Sequence, residues 1–225
     1  GITCFDKDIE KFLPVRFDKP LELKDILDFC WNDGSLYLVT SQGLFESRIV
    51  RKTEGKHDFV LCLLNPEPVV RGKVAHLCSD GKTNLYFSVN QRKVVHYDLV
   101  AKKTSLIKEY SVVNRLFLRH GYLWICRLWD DIICYDLKTN EERVISMEGK
   151  DQSEFSNSYV TDLVLKDNRT FYLTTWNGLY KLRFDNDNLC KSPFVLTLLT
   201  KNEKAFHSSI ENKMTSLFWD DKQQI

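Results

Sequence analysis

Tryptophan and arginine side chains in polar turns are the residues of this sequence best suited to contact another molecule. Arg127 and Trp129 share one such turn, Trp176 stands in a second, and Arg92 stands in a third. Tryptophan and arginine are enriched among the residues that dominate protein–protein binding energy. The sequence therefore predicts that these four residues contact a protein partner.

The sequence shows no comparable group of residues that could carry out catalysis. The histidines at positions 57, 76, 96, 120 and 207 are scattered, and only His76 and His96 are close enough along the chain to share a small sheet. No phosphate loop, zinc-ligand spacing or nucleophile elbow is present. Most carboxylates fall in turns, where they accept backbone hydrogen bonds. We predict a protein without catalytic residues, metal, cofactor or small-molecule substrate.

Seven cysteines, at positions 4, 30, 62, 78, 126, 134 and 190, bear on the compartment. They form no Cys-x-x-Cys pair, and most lie in apolar runs, where a reduced thiol behaves as a small hydrophobe. The alternative is a disulfide framework, which an odd number of cysteines disfavours. We predict a cytoplasmic or nuclear protein in which Cys78, Cys126 and Cys134 are buried and unpaired.

The composition further narrows the classes of protein to which this sequence can belong. The chain has 225 residues and a formal net charge of +1, so no global basic imbalance points to nucleic acid. Hydrophobic residues make up 43%, enough to bury a core. No apolar run is long enough to span a membrane, and no secretory signal is expected at the first residues.

The elements that position these side chains form a repeat. Four segments share the order strand, tight turn with Gly, Asn or Asp, strand, short turn, strand; they are residues 26–45, 74–98, 115–136 and 160–181. A weaker fourth strand follows each one. The equivalent positions Phe29, Leu77, Leu116 and Leu163 are 48, 39 and 47 residues apart. Four strands in a period of about 40–50 residues predict an all-β fold, a β-propeller of four-stranded blades.

An aromatic–aspartate pair after the third strand supports the repeat. It recurs as Tyr97-Asp98, Tyr135-Asp136 and Phe184-Asp185. We expect the aspartate to accept backbone hydrogen bonds in the turn toward strand four. The competing interpretation, a β-sandwich with coincidental hairpins, does not explain this recurrence.

Both ends of the chain resemble half repeats. Residues 2–8 match a third strand with its aromatic–aspartate turn, and Pro14 would then lie in an outermost strand, where proline is tolerated. The predicted domain, 1–225, comprises a half blade at 1–17, blades at about 24–65, 73–108, 114–146 and 159–199, and a half blade at 213–225. Either about five blades close a ring, or the chain is part of a larger propeller; the second is favoured because one strand is lacking.

This topology brings the candidate residues together. Turns between the second and third strands open on the same face of a propeller, so Arg92, Arg127, Trp129 and Trp176 are predicted to share one rim. The alternative is that each tryptophan packs between blades.

The repeats resemble the WD40-like propeller superfamily. Residues 123–126, 171–175 and 177–180 are also similar to regulator-type propeller repeats, which read Leu-Trp-Ile-Gly-Thr, then Gly-Leu, then Tyr-Asp. The likeness covers nearly the whole chain through short motifs. The Gly-His of true WD repeats is absent, and Tyr-Asp or Phe-Asp stands where they carry Trp-Asp.

This resemblance and the lack of catalytic motifs predict a non-catalytic propeller that acts as a protein–protein interaction scaffold or a subunit of an intracellular complex. An alternative is a nucleic-acid- or chromatin-associated subunit that binds through a local basic rim. A third is an enzyme with its site at the channel mouth, which would need paired carboxylates or a metal cluster there.

Overall fold

A computed structural model describes residues 2–7, 9–18, 25–51, 59–128, 130–145, 159–176, 178–199 and 216–217. Every regular element in these residues is a β-strand. No helix in this part of the chain is long and apolar enough to cross a membrane. The chain divides into two compact units, Gly1–Glu109 and Tyr110–Ile225, and each is described by itself.

The first unit contains two sheets. One has the spatial order β1-β2-β6-β5-β4-β3, with β7 paired to β5; its strands are β1 (Thr3–Asp6), β2 (Lys11–Phe17), β3 (Ile26–Asn32), β4 (Ser35–Thr40), β5 (Gly43–Arg51), β6 (Phe59–Leu63) and β7 (Val70–Arg71). We call β3–β6 blade A. Blade B is a four-stranded meander of β8 (Val74–Ser79), β9 (Asn84–Val89), β10 (Lys93–Asp98) and β11 (Lys103–Glu109).

The second unit contains two further four-stranded meanders. Blade C comprises β12 (Val113–Arg119), β13 (Tyr122–Arg127), β14 (Ile132–Asp136) and β15 (Glu142–Ile145). Blade D comprises β16 (Val160–Asp167), β17 (Thr170–Thr175), β18 (Gly178–Phe184) and β19 (Phe194–Leu198). The repeated antiparallel sheets confirm the all-β class with propeller-type blades.

Turn chemistry explains the hairpins. The β3–β4 turn has positive φ at Asp33 and Gly34, and the β12–β13 turn has positive φ at His120 and Gly121. Two successive residues of positive φ match the right-handed twist of the paired strands. The predicted role of the aspartate after strand three is confirmed at Asp98, whose Oδ1 accepts the Val100 and Ala101 amides at 2.8 Å. Chiefly because of the Ala101 amide, the pKa of Asp98 is lowered.

The N-terminal strands differ from the prediction in their pairing. β2 pairs antiparallel with β1 and parallel with β6, so β1, and not β2, is the outermost strand. Pro14 is nevertheless accommodated. The next residue, Val15, donates its amide to the Ile2 carbonyl across the hairpin and is the first β2 residue paired with β6. Alternation along the strand therefore directs the Pro14 nitrogen away from β1.

Each unit has a core between its two blades. In the first unit, Tyr37 and Leu44 of blade A pack with Leu85, Phe87 and Tyr97 of blade B. Cys78 was predicted to be buried, but it is half-buried, and its pairing with Tyr86 places it on the face of blade B opposite this core. Cys126 and Cys134 confirm the prediction, since both are buried thiols outside any disulfide.

A β-bulge recurs near the start of each first strand. The register shifts between Ile26 and Asp28 in β3 and between Val160 and Asp162 in β16; β8 and β12 carry shifts at the corresponding places. At the bulge of β3, Asp28 Oδ2 accepts the amide of Leu77 in β8 at 2.9 Å. Asp162 Oδ2 likewise accepts the Leu217 amide at 3.0 Å. The bulge thus directs a carboxylate from one repeat to the next.

The predicted C-terminal half blade, 213–225, lies mostly outside the described residues. Only residues 216 and 217 are described, and the bond from Leu217 to Asp162 ties them to blade D. That this segment forms a first strand stays a prediction.

We expect Asp28→Ala to lower the free energy of unfolding by about 1–3 kcal/mol, because it leaves the buried Leu77 amide without its acceptor. The hydrogen bond that Asp28 Oδ1 accepts from the Phe29 amide at 2.9 Å is lost as well. Urea denaturation measures the change. Asp28→Asn keeps one carbonyl oxygen and should recover part of the loss. Equal stability of the alanine variant and the wild type would contradict the bridging role.

Candidate functional site

Arg127 is the last residue of β13, and its side chain forms ion pairs with the turn that follows. Arg127 Nη1 lies 2.7 Å from Asp130 Oδ2, and Nε donates to the Asp131 carbonyl at 3.2 Å. Ser111 Oγ also donates to Asp130, at 3.4 Å. The Arg127 side chain is largely buried, so its guanidinium shapes the turn and presents little of its charge to solvent.

Trp176 is half-buried against an aromatic neighbour. Its ring stacks on Tyr159 with centroids 4.6 Å apart and an interplanar angle of 16°. The Trp176 amide also donates to the Tyr159 carbonyl at 3.2 Å. Stacking of this kind contributes about 0.5–1.5 kcal/mol beyond area burial. Trp176 thus combines a packed ring face with a partly solvent-accessible surface.

Arg92 belongs to the first unit and is well exposed. It lies in the β9–β10 turn after Asn90 and Gln91, which have positive φ, and its Nε lies 3.7 Å from Glu109. The fourth predicted residue, Trp129, lies outside the described residues. The shared rim of Arg92, Arg127, Trp129 and Trp176 therefore stays a prediction.

Blade A carries a second candidate surface, which the sequence analysis did not identify. Leu27, Phe29 and Trp31 lie on β3 and are 58%, 61% and 56% exposed. We call these three residues the β3 stripe. Contiguous exposed apolar surface of this kind marks interaction sites more often than isolated apolar residues do.

Strand geometry explains why these side chains meet solvent. Phe29 pairs with Leu38 and Trp31 with Leu36, and both leucines are buried on that face of blade A. The opposite face of β3 points toward blade B and includes Cys30, whose pKa is raised to about 12, mainly by burial. β3 is the last strand of its sheet; one of its faces lies in the core with blade B, and the other carries exposed apolar side chains.

Alternating apolar residues at 27, 29 and 31 were a usable signal for the stripe. A strand whose two faces are both apolar implies that both are covered. The pattern assigns the strand, but nothing local in the sequence shows which of its faces lacks a cover.

His96 is held by polar and aromatic neighbours within blade B. His96 lies between Asn84 Oδ1 at 2.6 Å and Ser105 Oγ at 3.2 Å, and it stacks on Tyr86. No cluster of three or more His, Cys, Asp or Glu residues that could hold a metal ion occurs in this part of the chain. His57 and His207 lie outside it.

Comparisons with known proteins agree with a propeller-type fold. No protein-family model matches the sequence. No curated protein matches it either. Solved structures do match, and they include WD40 β-propeller proteins.

Three solved structures illustrate the likeness. The extracellular domain of BT4673 from B. thetaiotaomicron, described as a one-component system, matches with a TM-score of 0.70 and 14% identity over 98% of this chain. A chain of the mitotic checkpoint complex matches with a TM-score of 0.61 and 14% identity over 95% of this chain. The N-terminal domain of Nup159 matches with a TM-score of 0.51 and 12% identity over 77%.

Each of these three chains is longer than this one. This chain spans 29% of the length of the BT4673 chain, 62% of the mitotic checkpoint chain and 48% of the Nup159 chain. At these identities the likeness shows the fold alone.

Proposed function

We propose that the protein is a non-catalytic β-propeller module that binds a protein partner, as a scaffold or a subunit of an intracellular complex. The observation that carries the proposal is the β3 stripe, in which three large apolar side chains are each more than half exposed. Burying such side chains against a partner is favourable by about 25 cal/mol per Å² of apolar surface.

The shape of the stripe favours a protein over a small ligand. Its side chains line one strand at the end of a sheet, whereas small-molecule sites are concave and enclose most of their ligand. Trp31 and Phe29 are aromatic anchors of the type that dominate protein interfaces. The occupant we propose is an apolar surface of a different protein.

Fold neighbours and cysteine chemistry support the same proposal. One neighbour is a chain of the mitotic checkpoint complex. The buried thiols of Cys126 and Cys134, outside any disulfide, suit a reducing compartment, so we propose that the protein resides in the cytoplasm or nucleus.

The rim of Arg92, Arg127, Trp129 and Trp176 is a second contact surface in this proposal. The exposed Arg92 and the half-buried Trp176 are its accessible members among the described residues. The nucleic-acid alternative has less support, because the charge of the exposed Lys102 is offset by Glu46, 3.5 Å away.

Stripe substitutions test the proposal. We expect Phe29→Ser and Trp31→Ser to leave the melting temperature nearly unchanged, since both side chains are exposed. Each should weaken binding of the native partner about 30-fold, as expected for an interface anchor. The partner is first captured with the wild-type protein and identified, and its dissociation constant is then measured by calorimetry for each variant.

Val100→Ser provides the matched control, because Val100 is 77% exposed but lies in a turn of blade B. It should bind the partner as the wild type does. Trp176→Ala in the same assay examines the rim. Unchanged affinity of both stripe variants would refute the proposed site. Self-association that the stripe substitutions abolish would instead assign the stripe to a second copy of the chain.

A further inference from the structure

Blade D carries a polar cavity of about 650 Å³ that the proposed function does not use. Its charged lining comprises Lys166, Arg169, Lys181 and Arg183 together with Asp167 and Asp187. Four cations therefore face two carboxylates. All of these residues belong to the second unit.

The strands of blade D assemble this lining. Lys181 and Arg183 alternate along β18 with Tyr180, Leu182 and Phe184, which are buried in the core with blade C. The two cations thus point to the opposite face of the sheet. Pairing places Arg183 opposite Thr170, at the end of the β16–β17 hairpin whose turn carries Arg169.

Each carboxylate has a role that reduces its ability to neutralise the cavity. Burial would raise the pKa of Asp167, but hydrogen bonds from the Arg169 amide at 3.0 Å and from Thr170 outweigh it and lower the pKa. Asp167 is therefore ionised and committed to its own turn. Asp187 lies 3.5 Å from Arg169 Nε and offsets that one guanidinium.

Lys181 and Arg183 are the two cations of the lining that neither Asp167 nor Asp187 neutralises. Among the residues that the structure describes, neither has a carboxylate within ion-pair distance. Positive side chains placed in a concave surface without counter-charges attract an anion, and the guanidinium of Arg183 can donate two parallel hydrogen bonds to one phosphate. The charge of the cavity lining therefore suits phosphate groups.

We propose that this cavity binds a small molecule that carries two or more phosphate groups. Lys181 and Arg183 hold one phosphate, and Lys166 and Arg169 at the hairpin, whose charges Asp167 and Asp187 only partly offset, face another. The described lining contains no aromatic ring on which a base could stack, which is the feature that single-stranded nucleic-acid sites use. A compact polyphosphate is thus favoured over nucleic acid.

Calorimetry of the full chain with inorganic tripolyphosphate tests the proposal at about 0.15 M ionic strength, where non-specific attraction between exposed charges is screened. We expect saturable 1:1 binding, with sulfate binding far more weakly. The double variant Lys181→Ala/Arg183→Ala should lose about tenfold or more in affinity, because it removes two charge-assisted contacts.

The control is Arg71→Ala/Lys138→Ala, which removes the same charge from exposed positions outside the cavity. It should keep its affinity within about twofold, and melting curves verify that all variants fold. Equal loss in the control, or a dissociation constant above about 1 mM for the wild type, would overturn the site. Tighter binding of a single-stranded oligonucleotide that requires the same residues would overturn the choice of ligand.

Discussion

Replacing Trp124 with alanine is expected to lower the free energy of unfolding of the second unit by about 3–5 kcal/mol. Trp124 is fully buried, with its ring centroid 4.6 Å from that of Phe171 and 6.1 Å from that of Phe184. Blade C contributes the indole and blade D contributes both phenylalanines, so the substitution opens a cavity between the two blades. Close packing prevents the surrounding strands from filling it.

Two further variants make this expectation specific. Trp124→Phe keeps an aromatic ring, and the indole Nε1 has no hydrogen-bond acceptor among the described residues, so no hydrogen bond is lost. The free energy of unfolding of Trp124→Phe should fall by only about 1–2 kcal/mol. Val195→Ala, at an exposed position of β19, should change stability by less than about 0.5 kcal/mol. Guanidinium denaturation, monitored by circular dichroism, distinguishes these two variants from Trp124→Ala.

A loss below about 1 kcal/mol for Trp124→Ala would mean that blades C and D are held together by something other than this aromatic cluster. The polar cross-links are the alternative, such as Asn114 Nδ2 donating to the Val160 carbonyl at 2.9 Å.

Sequence alone predicted the blades because their signals are local. Alternating apolar residues define the strands, and short turns such as His120-Gly121 leave little choice of partner, so successive strands pair in order. The hydrogen bonds of Asp98 were predictable for the same reason, since donor and acceptor lie within three residues.

Features that join distant segments could not be predicted in the same way. Nothing in the pattern of β2 specifies parallel pairing with β6, because the two strands are more than forty residues apart. Asp28 and Asp162 occupy equivalent positions in their repeats, and this was visible in the sequence. Their acceptor role depends on a bulge that only the pairing register reveals.

The candidate sites were predictable only in part. The repeat placed Arg127 in a turn, but its ion pair with Asp130 is a choice among several side chains in that turn. Exposure of Trp31 depends on what covers one face of blade A, which no local pattern encodes. Lys166 and Lys181 are fifteen residues apart, and they meet because the hairpins of blade D fold back on one another.

Gly43→Ala is expected to have an effect as large as a core truncation, although it adds only one methyl group. Gly43 has φ +147°, a conformation that side chains of L residues rarely adopt. A Cβ at this position would overlap the carbonyl oxygen of Val70, and it would also lie only 3.1 Å from Pro68 Cβ. Relief requires β7 to move off β5, which breaks the pairing of Gly43 with Arg71.

We expect Gly43→Ala to lower the free energy of unfolding by about 3 kcal/mol or more, combining backbone strain with the displacement of β7. Gly34→Ala is the matched control, because Gly34 has φ +77° but open space around the added methyl group. The Gly34→Ala variant carries the backbone strain without the steric overlap, so its free energy of unfolding should fall by about 1–2 kcal/mol. Urea denaturation of both variants therefore measures the steric contribution as their difference. If the two variants lose the same amount, the close approach of Val70 to Gly43 does not constrain the fold, and φ alone explains the glycine.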